Sequence, residues 1–347
     1  MENKLEYLPS ALLPWYGDNK RDLQWRRDRE PYHIWLSEIM LQQTRVEAVK
    51  GYYARFLDRL PTIEALANCG DEELHKLWEG LGYYSRVRNL KKAAQDIMST
   101  YDGQFPRQYP QVLALPGIGE YTAGAICSIA FGQPKAAVDG NVLRVLSRIR
   151  RDGECVDLPA HKNRVRQELE AVYPKDRPGE FTQALMELGA TVCLPNGAPK
   201  CESCPCRGFC ESRDGAWNRY PVRQAKRQRR QEDKTVFILR CGDVYALEKR
   251  PGTGLLAGLW QFPDTAGHLE PEGAIAHLEG LGLRPIQLER MVERSHIFTH
   301  IRWDMRGYYI TVAEMAGDWT WMDEREIESG AALPTAYRQF WEERGHV

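Results

Sequence analysis

The sequence predicts an all-α N-terminal region followed by an α+β domain, and three observations carry that reading. Up to about residue 192 the apolar residues recur at helical spacing, interrupted by glycine- and proline-bearing turns. From residue 234 the pattern changes to short β-rich runs. Between the two, residues 213–233 are polar, basic and broken by proline, the composition of a linker. A chain of 347 residues can bury two separate cores. The expected boundaries are a helical domain over 1–218, a basic linker over 219–233 and a second domain over 234–347.

Residues 1–30 read as helix and then turn, with Trp15, Trp25 and the charge run RDLQWRRDREP. Pro31 starts a helix in which Tyr32, Trp35, Ile39 and Met40 fall near helical spacing. That leaves Glu38 either on a solvated face or among apolar neighbours, where a carboxyl pKa rises. Gln42-Gln43-Thr44 interrupts the pattern before a second helix, VEAVKGYYARFLDRL. Helices follow over about 63–78 and 85–100. Between them, residues 80–86 (GLGYYSR) present Tyr83, either at an ordinary helix corner or as a wedge that slips between bases.

The stretch 115–151 organises the region. In Leu115-Pro116-Gly117-Ile118-Gly119 the glycines permit positive φ, and the helix that follows, rich in small residues, offers bare amides to a phosphate oxygen. Asp139 lies twenty residues beyond Gly119 and precedes a helix carrying Arg144, Arg148, Arg150 and Arg151. Taken alone, Asp139 is an N-cap. Further helices fall near 141–151, 161–173 and 179–192. In the second domain the expected strands are 235–240, 244–249, 295–301 and 307–312, with helical stretches near 271–282 and 334–344.

The net charge of −1 does not announce nucleic acid, but three basic clusters do suggest a phosphate backbone. They are Arg86, Arg88, Lys91 and Lys92; Arg144 to Arg151; and Arg219, Arg223, Lys226, Arg227, Arg229 and Arg230. The opening MENKLEYLPS has no basic-then-apolar signal pattern, and no apolar run approaches the roughly twenty residues of a membrane span, so a cytoplasmic, nucleoid-associated protein without a membrane partner is expected. Five of the nine cysteines fall between Cys193 and Cys210, a metal-site density. The spacing C-x7-C-x2-C-x5-C of Cys193, Cys201, Cys204 and Cys210 holds only one short C-x2-C, whereas zinc generally takes two. A cubane iron–sulfur cluster tolerates such a clasp, with zinc the alternative and Cys206 a possible substitute ligand.

The glycine turn with Asp139 downstream resembles the helix–hairpin–helix DNA glycosylase superfamily, in which the hairpin holds DNA and a downstream Asp works at the scissile glycosidic bond. Base excision passes through an oxocarbenium-like transition state: one acid protonates the departing base and one carboxylate offsets charge on the sugar. Glu38 in apolar surroundings suits the acid and Asp139 at a helix mouth the ionised partner. Endonuclease III-type members carry a nucleophilic lysine in a pattern like LPGVGRKTA. Here that position is Tyr121, in LPGIGEYTA, so no Schiff base is available there and a monofunctional enzyme is implied. Tyr121, with WLSEIMLQQTRV and VDGNVLRVLSR, resembles the MutY-type adenine glycosylases.

That resemblance implies a six-helix part over about 25–130 and a cluster part made of 1–24 and 131–218. It implies removal of adenine mispaired with 8-oxoguanine or guanine by a monomer on duplex DNA, with the adenine rotated out of the helix. Glu38 then protonates adenine at N7, and Asp139 stabilises or transiently traps the sugar cation with Tyr121 and Asn141 assisting. Arg21, Trp25 and Leu41 line the adenine pocket. Gln43 and Tyr83 fill the stack, Thr44 and Leu81 face the orphaned lesion, and Gly117 and Gly119 give backbone amides to phosphate. The four cysteines match the family's [4Fe–4S] loop, whose usual first gap is one residue shorter.

Residues 254–262 (GLLAGLWQF) before Pro263 resemble the entry to a Nudix fold, the architecture of 8-oxo-dGTP hydrolases. The hydrolases carry REx2EExG on one helix, whereas residues 264–286 offer only Glu270, Glu272 and Glu279, so recognition is expected in place of hydrolysis. Phe298-Thr299-His300 sits where the family has a Phe-Ser-His loop that contacts 8-oxoguanine; a buried Phe and a satisfied His at a strand end is the alternative. Two rival functions remain at this point, a pyrimidine glycosylase/lyase of the endonuclease III type and a non-catalytic lesion-binding module.

Overall fold

In the computed structural model, residues 3–225 and 228–345 are described; Lys226 and Arg227 of the third basic cluster lie outside them. The helices are α1 Leu8–Asn19, α2 Pro31–Leu41, α3 Val46–Arg59, α4 Ile63–Asn68, α5 Asp71–Trp78, α6 Ser85–Thr100, α7 Tyr109–Leu113, α8 Glu120–Ile129, α9 Gly140–Arg150, α10 Pro159–Glu170 and α11 Pro178–Thr191. The strands are β1 Arg230–Cys241, β2 Val244–Lys249, β3 Trp260–Gln261, β4 Asp264–Ala266, β5 Pro285–Ile297, β6 Ile301–Val312 and β7 Thr320–Asp323, with α12 Pro271–Gly280, α13 Glu324–Ser329 and α14 Thr335–Glu342. Among the described residues no helix is long and apolar enough to cross a membrane.

Packing divides the chain into two units, Met1–Asn68 with Arg88–Ala225, and Cys69–Val87 with Lys226–Val347. The sequence places a single boundary in the linker, but the 69–87 segment packs with the second unit. The expected helix over 63–78 breaks at Cys69–Gly70, where Gly70 takes the N-cap position of α5 and Asp71, Glu72 and Glu73 fill its first turn. Three carboxylates at a helix N-terminus favour starting a new helix there over continuing the old one.

In the first unit α2 has Pro at its start and is buried nearly all round, from Tyr32 to Met40. A helix apolar on every side belongs inside a core, and Glu38 goes in with it. α2 packs on α3 and α8, and α11 packs on α1, α8 and α9. Leu8, Leu12, Val142, Leu146, Phe181, Leu185 and Leu188 form the shared core of α1, α9 and α11, joined by Leu5 from the turn before α1. Gly117 takes φ +77 before α8, and a Cβ there would stand 2.6 Å from Asn89 Cβ, so the turn into this helix requires glycine.

The second unit is a mixed sheet in the order β3-β2-β1-β6-β5, with β4 on β1 and β7 on β2. β1 and β6 run parallel, while β5 and β6 form an antiparallel hairpin. Val236 and Ile238 face α13 and α14, and Phe237 and Leu239 face α12. Covering both faces explains why the β1 centre reads as an unbroken apolar run. The expected strand over 295–301 is corrected: β5 ends at Ile297, β6 starts at Ile301, and Phe298–His300 is the turn between them, closed by Phe298 N donating to Ile301 O at 2.8 Å. Apolar residues on both sides of a three-residue turn disguise it in the sequence.

Candidate active site

A cavity of about 190 Å³ in the first unit brings together Glu38, Tyr121, Asp139, Asn141, Arg21, Trp25, Leu41 and Thr44. Glu38 is 6 % exposed. Burial pushes its carboxyl pKa up to about 7; the nearby Asp139 charge adds to this, while the Tyr121 hydroxyl and Arg26 oppose it. Tyr121 Oη donates to Glu38 Oε2 at 2.6 Å. Burial and the two carboxylates hold the phenol far above its ordinary pKa, so it stays a donor.

Asp139 is both the helix cap and a cavity residue. Its Oδ1 accepts from Val142 N at 2.8 Å, and its Oδ2 accepts from Asn141 Nδ2 at 2.7 Å. The sequence cast Asp139 as the ionised partner. Burial moves its pKa upward, restrained by the amide and side-chain donors of Val142 and Asn141 and by Arg144. Asn141 is fixed in turn: Arg144 Nη2 donates to Asn141 Oδ1 at 2.9 Å and to Gly189 O at 2.8 Å, and its Nε donates to Cys193 O at 3.0 Å. A Cβ on Gly189 would stand 2.6 Å from Asn141 Cβ, so glycine is what lets α11 approach this closely.

Sequence reasoning missed Glu187 and Arg26, which line the same cavity. Glu187 is fully buried on α11 and accepts from Arg21 Nε at 2.6 Å, Arg21 Nη2 at 2.9 Å and Arg26 Nη2 at 2.8 Å. Burial pushes its pKa up, but the two guanidinium groups outweigh this and hold it below the usual range. The available signal was the same one that marked Glu38, a glutamate inside an apolar helical run (ALMELGAT). A wider cleft of about 990 Å³, lined by Glu30, Phe105 and Phe131 among others, contains none of the expected site residues.

The two residues expected to enter the base stack both hold left-handed backbone, Gln43 at φ +58 and Tyr83 at φ +49. Side chains other than glycine rarely adopt it, and such positions concentrate where function demands them. Gln43 is exposed, and Tyr83 is 44 % exposed. Leu81 differs from expectation: it is 6 % exposed and so buried where the expectation had it facing the lesion. Gly119 caps α8 in extended backbone with open space around it. In the second unit Phe298 packs edge-on against Trp303 at 4.8 Å, His300 is exposed, and Thr299 Oγ1 lies 3.3 Å from Tyr83 Oη. Glu270, Glu272 and Glu279 are exposed, and Glu270 pairs with Arg306 at 2.6 Å.

The second basic cluster is corrected. Arg144 and Arg148 are buried and directed at backbone carbonyls, Arg150 pairs with Glu168 and Arg151 with Asp214, so this helix is no phosphate-binding face. Arg148 points to the cysteines: Nη1 stands 3.3 Å from Cys193 Sγ. Cys193, Cys201, Cys204, Cys206 and Cys210 line one small cavity with Arg148, Ser212 and Trp217. The buried Ser212 Oγ has no hydrogen-bond partner, which leaves a donor there for a bound group. A single tetrahedral zinc at about 2.3 Å would hold its sulfurs roughly 3.8 Å apart. Among the described residues the only three ligand-type groups within 4.8 Å of one another are Asp152, Glu154 and His161, not the thiols. Several thiols converging on one pocket with an unpartnered Ser212 hydroxyl is a donor set that suits a thiolate-held cubane. Arg164 already sits among Asp152, Glu154 and His161, matching their charge.

Residues 36–187 match the family model of the HhH-GPD superfamily base excision DNA repair proteins, and residues 235–343 that of the NUDIX domain. The chain is 34% identical to the adenine DNA glycosylase of Rattus norvegicus, covering 96% of this chain and 73% of that protein. The chain belongs to the adenine DNA glycosylase family. The Homo sapiens adenine DNA glycosylase is 33% identical, over 95% of this chain and 72% of its own. Among solved structures, a thermostable thymine-DNA glycosylase superposes with TM-score 0.56 at 31% identity, covering 61% of this chain and 97% of that one. The glycosylase is thus an enzyme of base excision repair that hydrolyses the N-glycosidic bond of adenine in DNA, on a helical region of the endonuclease III type followed by a Nudix-like domain.

Proposed function

We propose that this glycosylase removes adenine paired with 8-oxoguanine or guanine from duplex DNA as a monofunctional, monomeric enzyme of the cytoplasm. The observation that carries the mechanism is one cavity holding a carboxyl whose pKa burial pushes up to about 7 beside a second carboxylate. The flipped adenine enters between Arg21, Trp25 and Leu41. Glu38 protonates N7, the glycosidic bond breaks with its electron pair moving into the purine, and Asp139 offsets or briefly traps the cationic sugar until water adds. Tyr121 and Asn141 hold the two carboxyl groups in place. No lysine is among the residues that line the cavity, which supports hydrolysis over a lyase route.

Gln43 and Tyr83 fill the stack, Thr44 and Leu81 border the lesion, Gly117 and Gly119 bind phosphate, and Phe298, Thr299 and His300 read the 8-oxoguanine. Leu81 reaches the lesion only if its turn opens on DNA. Cys193, Cys201, Cys204 and Cys210 hold a [4Fe–4S] cluster whose chemistry is architectural, and Cys206 lies beside them. The purified chain is expected to be brown with a broad thiolate-to-iron absorption, bleached by acid; a colourless protein that releases zinc would sink this assignment.

Single-turnover assays on adenine opposite 8-oxoguanine, guanine, cytosine and thymine test the substrate. The expected order is 8-oxoguanine above guanine, with cytosine and thymine far below. Equal rates on all four, or efficient borohydride capture of an abasic duplex, would overturn the reading.

A further inference from the structure

The turn that carries Tyr83 is built into the unit that carries Phe298–His300. α5 leads into that turn, and two of its residues, Glu72 and Lys76, with Glu79 at its C-cap, recur at i, i+4 and i+7 along one side of the helix and its end. Glu72 pairs with Lys249, and its Oε2 accepts from Trp260 Nε1 at 3.0 Å. Lys76 Nζ donates to Ile327 O at 3.3 Å and Ala331 O at 3.2 Å, and lies 2.8 Å from Glu79 Oε2. Glu79 Oε1 accepts from Leu333 N at 2.9 Å and Arg338 Nη1 at 3.3 Å. The whole stripe faces β2, β3 and the α13–α14 corner.

The next seven residues are held from α5 outward. Trp78 Nε1 donates to Gly82 O at 3.0 Å, and Arg86 Nη2 donates to Leu81 O and Gly82 O, each at 3.1 Å. Tyr83 then stands in left-handed backbone with its hydroxyl 3.3 Å from Thr299 Oγ1. Two independent connections therefore join the turn to the C-terminal half of the chain: the direct Tyr83–Thr299 contact, and the stripe on α5. Exposed ion pairs contribute little, but Lys76 and Glu79 are mostly shielded and each also serves backbone groups, where loss of a charged partner is costly.

We infer that Lys76 and Glu79 are positioning residues for lesion selectivity: they latch α5 to the α13–α14 corner so that Tyr83 and the 298–300 turn meet the same base pair in fixed register. This rests on the lesion-reading role proposed above for residues 298–300. Neither residue touches the adenine cavity, so the latch acts on discrimination and not on bond cleavage.

The test compares the native chain with Lys76→Met, Glu79→Gln and Lys76→Arg in single-turnover adenine removal opposite 8-oxoguanine and opposite guanine at saturating enzyme. Hydrogen exchange is followed in residues 80–86. The first two variants are expected to lose about tenfold of the preference for 8-oxoguanine, with the rate opposite guanine within about twofold of native. Exchange over 80–86 rises. Lys76→Arg, which still reaches the carbonyls with a charge, keeps the preference. Equal slowing on both duplexes, or an unchanged preference, overturns the latch. A native chain with no preference at all would instead overturn the lesion reading, and the selectivity role with it.

Discussion

Replacing Glu38 by Gln is expected to slow adenine removal by about a thousandfold or more, with lesion-duplex binding largely kept. Gln preserves the volume and can still accept from the Tyr121 hydroxyl, which donates to this side chain at 2.6 Å. What it lacks is the transferable proton, and positioned acid catalysis contributes about 10²–10⁴-fold. In the native enzyme the rate falls as pH rises through about 7, because burial holds the Glu38 pKa there and only the protonated form can donate. Stability moves the same way with pH. The folded pKa is raised from 4.5, so the contribution of Glu38 to stability is fully present below that value and is lost as pH rises through about 7. Glu38→Gln has no charge to bury and should gain about 3 kcal/mol over the native chain above pH 7, yet show no gain near pH 4. Thermal melts at both pH values, beside single-turnover rates, check the pair. A variant that keeps native rates sinks the acid role; one that melts lower at pH 8 sinks the buried-carboxyl account.

Glu38 illustrates what kind of site information a sequence carries. Its helix announces itself through Pro31 and the apolar run, and a carboxyl inside such a run has few places to go but the core. Local grammar likewise marks the turn at Gly117, because positive φ is a property of one residue. Glu187 gave the same kind of signal but no hint of its partners. Its charge is matched by Arg21 and Arg26, more than 150 residues away in the chain, a pairing that only the fold creates. Arg144 and Arg148 misled for the converse reason. A basic helix suggests a phosphate surface, yet these side chains turn inward to carbonyls at the end of α11 and in the cysteine loop, partners no local pattern encodes. The assignment of 69–87 to the C-terminal unit rests on the same long-range pairing, through Lys76 and Glu79, and the linker composition gave no trace of it.

Asp139→Asn separates the two roles that the structure gives this residue. Asn is as good an N-cap as Asp and its Oδ1 can still accept from Val142 N, but its Nδ2 would face the Asn141 Nδ2 donor, so the fold stays intact at a modest cost in melting temperature. Asp139→Ala loses the cap as well and should cost about 1 kcal/mol. Both variants lose the negative charge beside the sugar, and removing one preorganised electrostatic stabiliser costs about 10²–10³ in rate. The rate of Asp139→Asn is therefore expected to fall by that factor while its fold is intact. The pH profile adds a second signature. Burial raises the Asp139 pKa, so the native rate falls in acid as this carboxylate protonates, and that limb disappears in Asp139→Asn. The Asp139 charge also pushes the Glu38 pKa upward, so its removal moves the alkaline limb to lower pH. Native rates in Asp139→Asn, with both limbs in place, would reduce Asp139 to a helix cap and leave the cation on the sugar without its counter-charge.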